Sequence, residues 1–272
     1  MSLPPPTPDR TALVTGASSG IGVELARALV HRGHGVTLVA RSADKLEVLA
    51  ADLRSDSIRV EVLPTDLSDR SARAALPGRV ADLGLTVDVL VNNAGLSTVG
   101  PVAASEPEAE LNLVEVDVAA VVDLTSRFLP GLVERGTGAI LNVASTAAFQ
   151  PLAGQAAYGA AKAFVLSYTR SLAGELWGTG VTVTALCPGP VATGFGEAAG
   201  FAKEDAEAAL PSFLWEDADA VARCGIDGLD KGRTVAIPGT ANRVLANLSH
   251  LTPKSLLVPV LARQHPGLRT TR

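Results

Sequence analysis

Along this chain, short runs of β-branched and other apolar residues alternate with longer segments rich in Ala, Leu and Arg. In the longer segments the apolar positions recur every three or four residues, the period of a helix with one buried face. Thr11–Thr15 and Val36–Ala40 read as buried strands, and the spacing between them predicts a helix from about Ile21 to His31, ended by Gly33 and Gly35. The pattern then repeats as helix Ala43–Leu53, strand Val60–Leu63, helix Arg70–Leu83 and strand Val87–Val91. A long helical stretch from about Glu108 to Glu134 leads to strand Ala139–Val143. Helix Gln155–Leu176, strand Val181–Leu186, helix Ala218–Leu229 and a short strand Thr234–Ile237 complete it. Alternation of this kind implies right-handed βαβ units. The expected fold class is α/β, a Rossmann-type doubly wound parallel sheet with helices on both faces.

Composition agrees with that architecture. The 272 residues are 47% hydrophobic but only 4% aromatic, so Ala, Val and Leu must fill the core. Small apolar side chains suit helices lying close on a sheet that is covered on both sides. One domain is expected over residues 11–240, after a flexible Pro-rich segment 1–10 and before a basic tail 241–272. The N-terminal stretch has no apolar run of the signal-peptide kind, and no uncharged apolar stretch reaches the roughly 18 residues of a membrane span. These features give the expectation of a cytoplasmic protein. The net charge of −5 argues against nucleic acid as a partner. Cys187 and Cys224 have no metal-ligand spacing and read as buried thiols in a reducing compartment. The histidines at 31, 34, 250 and 265 fall outside every motif, and no metal site is expected.

Charge is unevenly distributed. After Asp230 the chain has seven Lys and Arg and no acid, against 16 basic and 28 acidic residues before that point. Leu248, Leu251, Leu256, Leu257 and Val258, flanked by Lys254 and Arg263, lie in this stretch. Two readings are open for it: contact with its own domain or a neighbouring subunit, or binding of a membrane surface or an anionic carrier.

The first strand runs into Thr15-Gly16-Ala17-Ser18-Ser19-Gly20-Ile21-Gly22. Glycines between a strand and a helix let backbone approach a pyrophosphate, which the helix then meets with free N–H groups and its positive dipole end. Farther on, Tyr158-Gly159-Ala160-Ala161-Lys162 places a phenol and an ammonium one helical turn apart. A phenol has a pKa of about 10, and a neighbouring cation lowers it toward the range of a general acid/base. Ser145, just beyond the Ala139–Val143 strand, would share the crevice at the strand C-termini with the glycine loop. After the second strand comes Arg41 with no acid until Asp44. A guanidinium there suits a ribose 2′-phosphate better than a 2′-hydroxyl.

In these motifs and their order the chain resembles the short-chain dehydrogenase/reductase family, in its short one-domain branch, over about Thr11 to Ile237. The resemblance implies that Gly16, Ser18, Ser19, Gly20, Ile21 and Gly22 hold the cofactor pyrophosphate. It also implies that Asp66 and Leu67 contact the adenine, although Asp66 can equally be read as a helix cap. Asn92, Asn93, Ala94 and Gly95 would steady the central sheet, with Asn93, Ala94 and Gly95 also bordering the cofactor. Pro188, Gly189, Pro190, Val191 and Thr193 would hold the nicotinamide amide, and a lid would span about 195–215. Ser145, Tyr158 and Lys162 match the catalytic trio, with Tyr158 and Lys162 also touching the cofactor.

The expected function is NADP(H)-dependent interconversion of a ketone or aldehyde and an alcohol, in a homodimer or homotetramer. The apolar residues of the lid favour an apolar carbonyl substrate. A redox-silent NADP(H) sensor of the same fold is the alternative, although a sensor need not keep Ser145, Tyr158 and Lys162. A sugar-nucleotide epimerase of the family's extended branch would need a larger C-terminal substrate domain. One position departs from the pattern: Asp117 stands where the family carries an asparagine that relays protons to the catalytic lysine. A carboxylate there can accept the same hydrogen bonds, but it should oppose the field of Lys162 and raise the Tyr158 pKa.

Overall fold

A computed structural model of the chain describes residues 3–195 and 211–251, together with 258, 259 and 268. Its centre is a parallel seven-stranded sheet: β1 (Arg10–Thr15), β2 (Val36–Val39), β3 (Val60–Val62), β4 (Thr86–Asn92), β5 (Gly138–Val143), β6 (Val181–Leu186) and β7 (Val235–Ala236). The order is β3-β2-β1-β4-β5-β6-β7. Strand order therefore reverses between β1 and β4, the switch point where open α/β sheets bind ligands.

The connecting helices are α1 (Gly20–Val30), α2 (Ala43–Leu53), α3 (Arg70–Asp82), α4 (Pro107–Val114), α5 (Ala120–Arg135), α6 (Ala156–Glu175), α7 (Ala218–Asp230) and α8 (Thr240–Leu251). Side chains on successive strand positions face opposite ways, and β1 shows why both faces need cover. Ala12 and Val14 pack with Leu25, Leu29, Val221 and Ile226 from α1 and α7. Leu13, between them, packs with Leu76, Leu124 and Leu172 from α3, α5 and α6. All six residues of β5 and of β6 are buried, as a parallel sheet covered on both faces requires.

Three local features differ from the sequence expectation. The stretch before β1 does not hang free: Leu3 is buried in the core, and its amide donates to Asp230 Oδ1 at 3.0 Å. One leucine among the prolines supplies apolar area that its composition as a whole conceals. Within the long Glu108–Glu134 stretch, Glu115–Ala119 forms a π-turn between α4 and α5. Cys224 is only half-buried, whereas Cys187 is fully enclosed. Burial pushes the Cys187 thiol up to about 12, so it stays a neutral core residue.

In the C-terminal stretch, α8 turns Asn242, Ala246 and Ser249 into the body and leaves Val244, Leu245 and Leu248 exposed. Val258 is also exposed, while residues 252–257 and 260–267, with Lys254, Leu256, Leu257 and Arg263, lie outside the described residues, as does the side chain of Leu251. Among the described residues no helix is long and apolar enough to cross a membrane, and no cluster of His, Cys, Asp and Glu could hold a metal ion.

Candidate active site

The sheet's C-terminal edge gathers the chemistry-bearing residues, because most of the predicted motifs directly follow strands and α6 brings Tyr158 and Lys162 to the same edge. After β1 the chain turns at Gly16 with φ +65°, a conformation that only glycine adopts without strain. Gly22 lies on α1 against the same turn, where a Cβ would come within 2.1 Å of the Gly16 carbonyl oxygen and 2.6 Å of Asn93 Nδ2. The cradle is therefore closed to any side chain at this point. Gly22→Ala should displace the loop and cost about 1–3 kcal/mol or more, the range for inserting a methyl into filled space. A thermal melt with dinucleotide titration checks this, and a variant with unchanged melting and binding would refute the close approach.

The N-terminus of α1 carries no acid in its first turn, and Ser19 at the N-cap makes no side-chain capping bond. Its N–H groups and positive dipole end are thus left for an anion. Arg41, after β2, is exposed and has no carboxylate within 4.0 Å among the described residues. Asp66, after β3, lies near enough to feel it. Hydrogen bonds from the Ser68 amide and hydroxyl hold the Asp66 carboxyl below its usual range, and Arg41 adds to that shift. Asp66 closes its own turn and does not cap α3. The cap is Asp69, which accepts from the amides of Ser71 and Ala72. Its position just before the predicted helix start was a readable signal.

After β4, Asn93 holds the glycine loop in place. Its side-chain amide donates to Thr15 O at 2.9 Å and Gly16 O at 3.3 Å, and the amides of Asn93 and Ala94 both donate to Thr15 Oγ1. Asn92 begins a buried polar ladder, donating to Asn142 Oδ1 on β5, while Asn142 donates to Thr169 Oγ1 on α6. Asn142 and Thr169 escaped sequence reading because each looks like an ordinary strand or helix residue until the ladder pairs them. Thr193 lies across the glycine loop, since a Cβ on Gly20 would meet its side chain at 3.2 Å. Gly189 admits the Asn242 side chain from α8, a neighbour that sequence spacing gave no reason to expect.

Ser145 follows β5 in extended conformation and accepts from the Ala147 amide. Tyr158 and Lys162 face the same cleft from α6, with the ammonium 5.6 Å from the phenol ring centroid. Lys162 is 4% exposed, donates to Val143 O at 3.3 Å, and lies 2.9 Å from Asp117 Oδ2. Asp117 is wholly buried in the π-turn and accepts from the Leu96 amide at 2.7 Å through its other oxygen. The ion pair passes directly beside Gly95, where a Cβ would sit 3.1 Å from both Asp117 Oδ2 and Lys162 Nζ.

Two residues before Asp117, Glu115 points the other way and is gripped by Arg70 and Arg73. Arg73 is itself buried, pairs with Asp123, and donates to the carbonyl of Leu67. A π-turn adds a residue to the helical ladder and so can re-aim side chains. Here it separates two acids that face different partners.

The electrostatics correct one expectation. Burial raises the Tyr158 pKa above the ordinary phenol value. Lys162 and a hydrogen bond from Ser145 pull it down, while Asp117 pushes it up. The lysine's field is real but does not prevail, because desolvation disfavours the phenolate and the carboxylate behind Lys162 cancels part of its charge. Burial alone would lower the Lys162 pKa, yet Asp117 and Tyr158 hold it raised, so this residue remains an ammonium. Phe195, 40% exposed, places its ring 5.9 Å from that of Tyr158 and forms an apolar wall beside the phenol. Farther along the predicted lid, Leu214 is buried and Phe213 exposed, while 196–210, with Phe201 and Leu210, lie outside the described residues.

A reversed parallel sheet, a glycine loop closed to side chains at its switch point, and a Ser-Tyr-Lys cluster in the same crevice define a dinucleotide-binding α/β fold. Residues 10–203 match the short chain dehydrogenase family. The chain belongs to the short-chain dehydrogenase/reductase family.

Ketoacyl reductase HetN of Nostoc is 35% identical over 67% of this chain and 63% of its own length. The NADP-dependent 3-hydroxy acid dehydrogenase YdfG of Salmonella typhimurium is 37% identical over 66% of this chain and 71% of its own. Among solved structures, a short-chain dehydrogenase from Sphingobium yanoikuyae in complex with NADPH aligns with TM-score 0.78 and 34% identity. That alignment covers 92% of this chain and 95% of the other.

Proposed function

We propose that the protein is an NADP(H)-dependent oxidoreductase that interconverts a ketone or aldehyde with the corresponding alcohol. The observation that carries this reading is Tyr158, set between Ser145 and a buried Lys162–Asp117 pair in the crevice that holds the glycine loop. Binding by Gly16, Ser18, Ser19, Gly20, Ile21 and Gly22 at the pyrophosphate, and by Asp66 and Leu67 at the adenine, fits the closed loop and the uncapped start of α1. Asn93, Ala94 and Gly95 would border the cofactor, and Pro188, Gly189, Val191 and Thr193 would flank its nicotinamide. Names among the similar proteins, an NADPH complex and an NADP-dependent dehydrogenase, support the same cofactor.

The cofactor, when bound, supplies or accepts the hydride. In reduction, Ser145 donates a hydrogen bond to the substrate carbonyl oxygen and holds it against the phenol. Tyr158 gives its proton to that oxygen as the hydride reaches carbon, so the product is a neutral alcohol. The phenolate left behind is stabilised by Lys162, which stays positive because Asp117 faces it. The raised pKa of Tyr158 keeps the phenol protonated at neutral pH, the form that reduction needs. Asp117 is a positioning residue: it fixes Lys162 and, through Leu96, the loop beside it. Phe195 offers an apolar surface to the substrate.

Arg41 sets the cofactor choice. Arg41→Asp should weaken NADPH about ten- to a hundredfold relative to NADH, as expected for a charge-assisted contact worth about 1.5–3 kcal/mol. Wild-type preference for NADH would overturn the assignment. Consumption of NADPH across a panel of ketones and aldehydes tests the reaction itself. Tight NADPH binding with no turnover of any member would favour the redox-silent sensor.

A further inference from the structure

Most arginines described in this structure reach a carboxylate within 4.0 Å. Arg54 and Arg79 instead spend their guanidiniums on backbone carbonyls. Four others have no carboxylate at that distance among the described residues. One is Arg41, and the remaining three, Arg170, Arg233 and Arg243, line one cavity of roughly 250 Å³ beside β7. Phe149, Cys224 and Asn247 complete the part of the lining that matters here. The cavity brings together residues far apart in sequence: Arg170 comes from α6, Arg233 precedes β7, and Arg243 lies on α8.

All three arginines are solvent-exposed, and each keeps guanidinium donors that no protein group uses among the described residues. Arg170 lies over the Phe149 ring, 5.7 Å from its centroid, a contact that fixes the plane without using its N–H groups. Arg243 donates once, to Ile237 O at 3.3 Å. No hydrogen bond from the Arg233 side chain is found among the described residues, although its carbonyl accepts from Thr184. Two acids that act on the neighbouring Cys224 have partners elsewhere: Asp227 pairs with Arg32, and Glu216 accepts from Asn242. Arg233 and Arg243 also begin the acid-free stretch after Asp230, so the charge asymmetry of the sequence becomes a local positive pocket.

We infer that this pocket binds a phosphate-bearing small molecule at a site separate from the dinucleotide crevice. Three guanidiniums with free donors match a multivalent oxyanion better than a single carboxylate, because each can form paired N–H···O bonds to it. The competing occupant is a second copy of the chain that brings its carboxylates to these arginines, which sedimentation of the variants distinguishes. The inference stands apart from the proposed reaction and needs none of its residues.

Cys224 supplies a reporter at the site. Its thiol is half-buried, and burial raises its pKa while Arg243 and Arg233 pull it down against Asp227 and Glu216. An oxyanion seated among the arginines would cover the sulfur and cancel their field, so thiolate reactions should slow. Cys187 is enclosed and stays silent. The experiment follows N-ethylmaleimide labelling of Cys224 in NADP+-saturated protein while pyrophosphate is added. Pyrophosphate should slow labelling several-fold, and Arg243→Gln or Arg233→Gln should weaken that protection about tenfold or more. Arg233→Gln keeps the test valid if Arg243→Gln fails to fold. Pyrophosphate captured by the glycine loop leaves the Cys224 rate unchanged, so the two sites are distinguished. Labelling indifferent to millimolar pyrophosphate, or protection in both variants equal to that of the wild type, overturns the inference. So does sedimentation showing that the substitutions dissociate an oligomer while pyrophosphate has no effect, because the pocket is then a contact between copies.

Discussion

Tyr158→Phe is expected to reduce kcat for carbonyl reduction by about 10²–10⁴, the usual contribution of a positioned general acid. The substitution removes one oxygen and leaves the ring that packs against Phe195. NADPH binding and the fold should therefore survive. Loss of the buried hydroxyl itself costs only about 1 kcal/mol of stability. Single-turnover kinetics with NADPH, alongside a direct binding titration, separate the two effects. A variant with near-normal turnover would remove Tyr158 from the chemistry, and one that neither binds nor folds would show a structural role instead.

The second large effect is expected at Asp117, and the choice of substitution decides its kind. Asp117→Ala leaves the buried Lys162 ammonium with only Val143 O and strips the Leu96 amide of its acceptor. Removing one partner of a buried ion pair costs about 3–5 kcal/mol, which denaturant melts would reveal. Neutralising the other partner as well, in Asp117→Ala with Lys162→Met, should restore much of that stability, because no uncompensated charge remains.

Asp117→Asn keeps the shape and the bond from Leu96, removes the charge, and turns an NH2 donor toward Lys162 in place of the second oxygen. Asp117 raises the Tyr158 pKa, so its neutralisation lowers it. Alcohol oxidation needs the phenolate and rises with pH through this pKa; the rise should therefore begin at lower pH in the Asn variant. A tenfold change in the acidity of the phenol corresponds to about 1.4 kcal/mol. An unchanged profile would show that the carboxylate does not act on Tyr158, and a merely structural role would leave it unmoved.

Much of this was legible in the chain because it depends on local spacing. A glycine loop between a strand and a helix, and a tyrosine four residues before a lysine on a helix, carry their geometry in sequence. Six of the motifs lie at strand C-termini, so naming the strands was enough to place them along one edge. The departure at Asp117 was equally visible, as was the charge asymmetry after Asp230. The acid-free stretch, however, did not reveal what its charges face.

The alternation of strands and helices was written in the chain, and with it the parallel sheet and the edge where the site lies. Period, turn residues and apolar runs act between near neighbours, so they survive in one dimension. The balance of charge at Tyr158 came from folding. Spacing predicted that Lys162 would lower the phenol pKa and that Asp117 would oppose it, whereas burial, which spacing does not carry, is the larger influence and leaves it raised. Folding also set Glu115 and Asp117 toward opposite partners across a π-turn, joined Asn142 to a ladder from β4 to α6, and brought Arg170 to Arg233 and Arg243 around one cavity. Desolvation and pairing between distant segments depend on what surrounds a group from every side, and that environment exists only once the chain has folded.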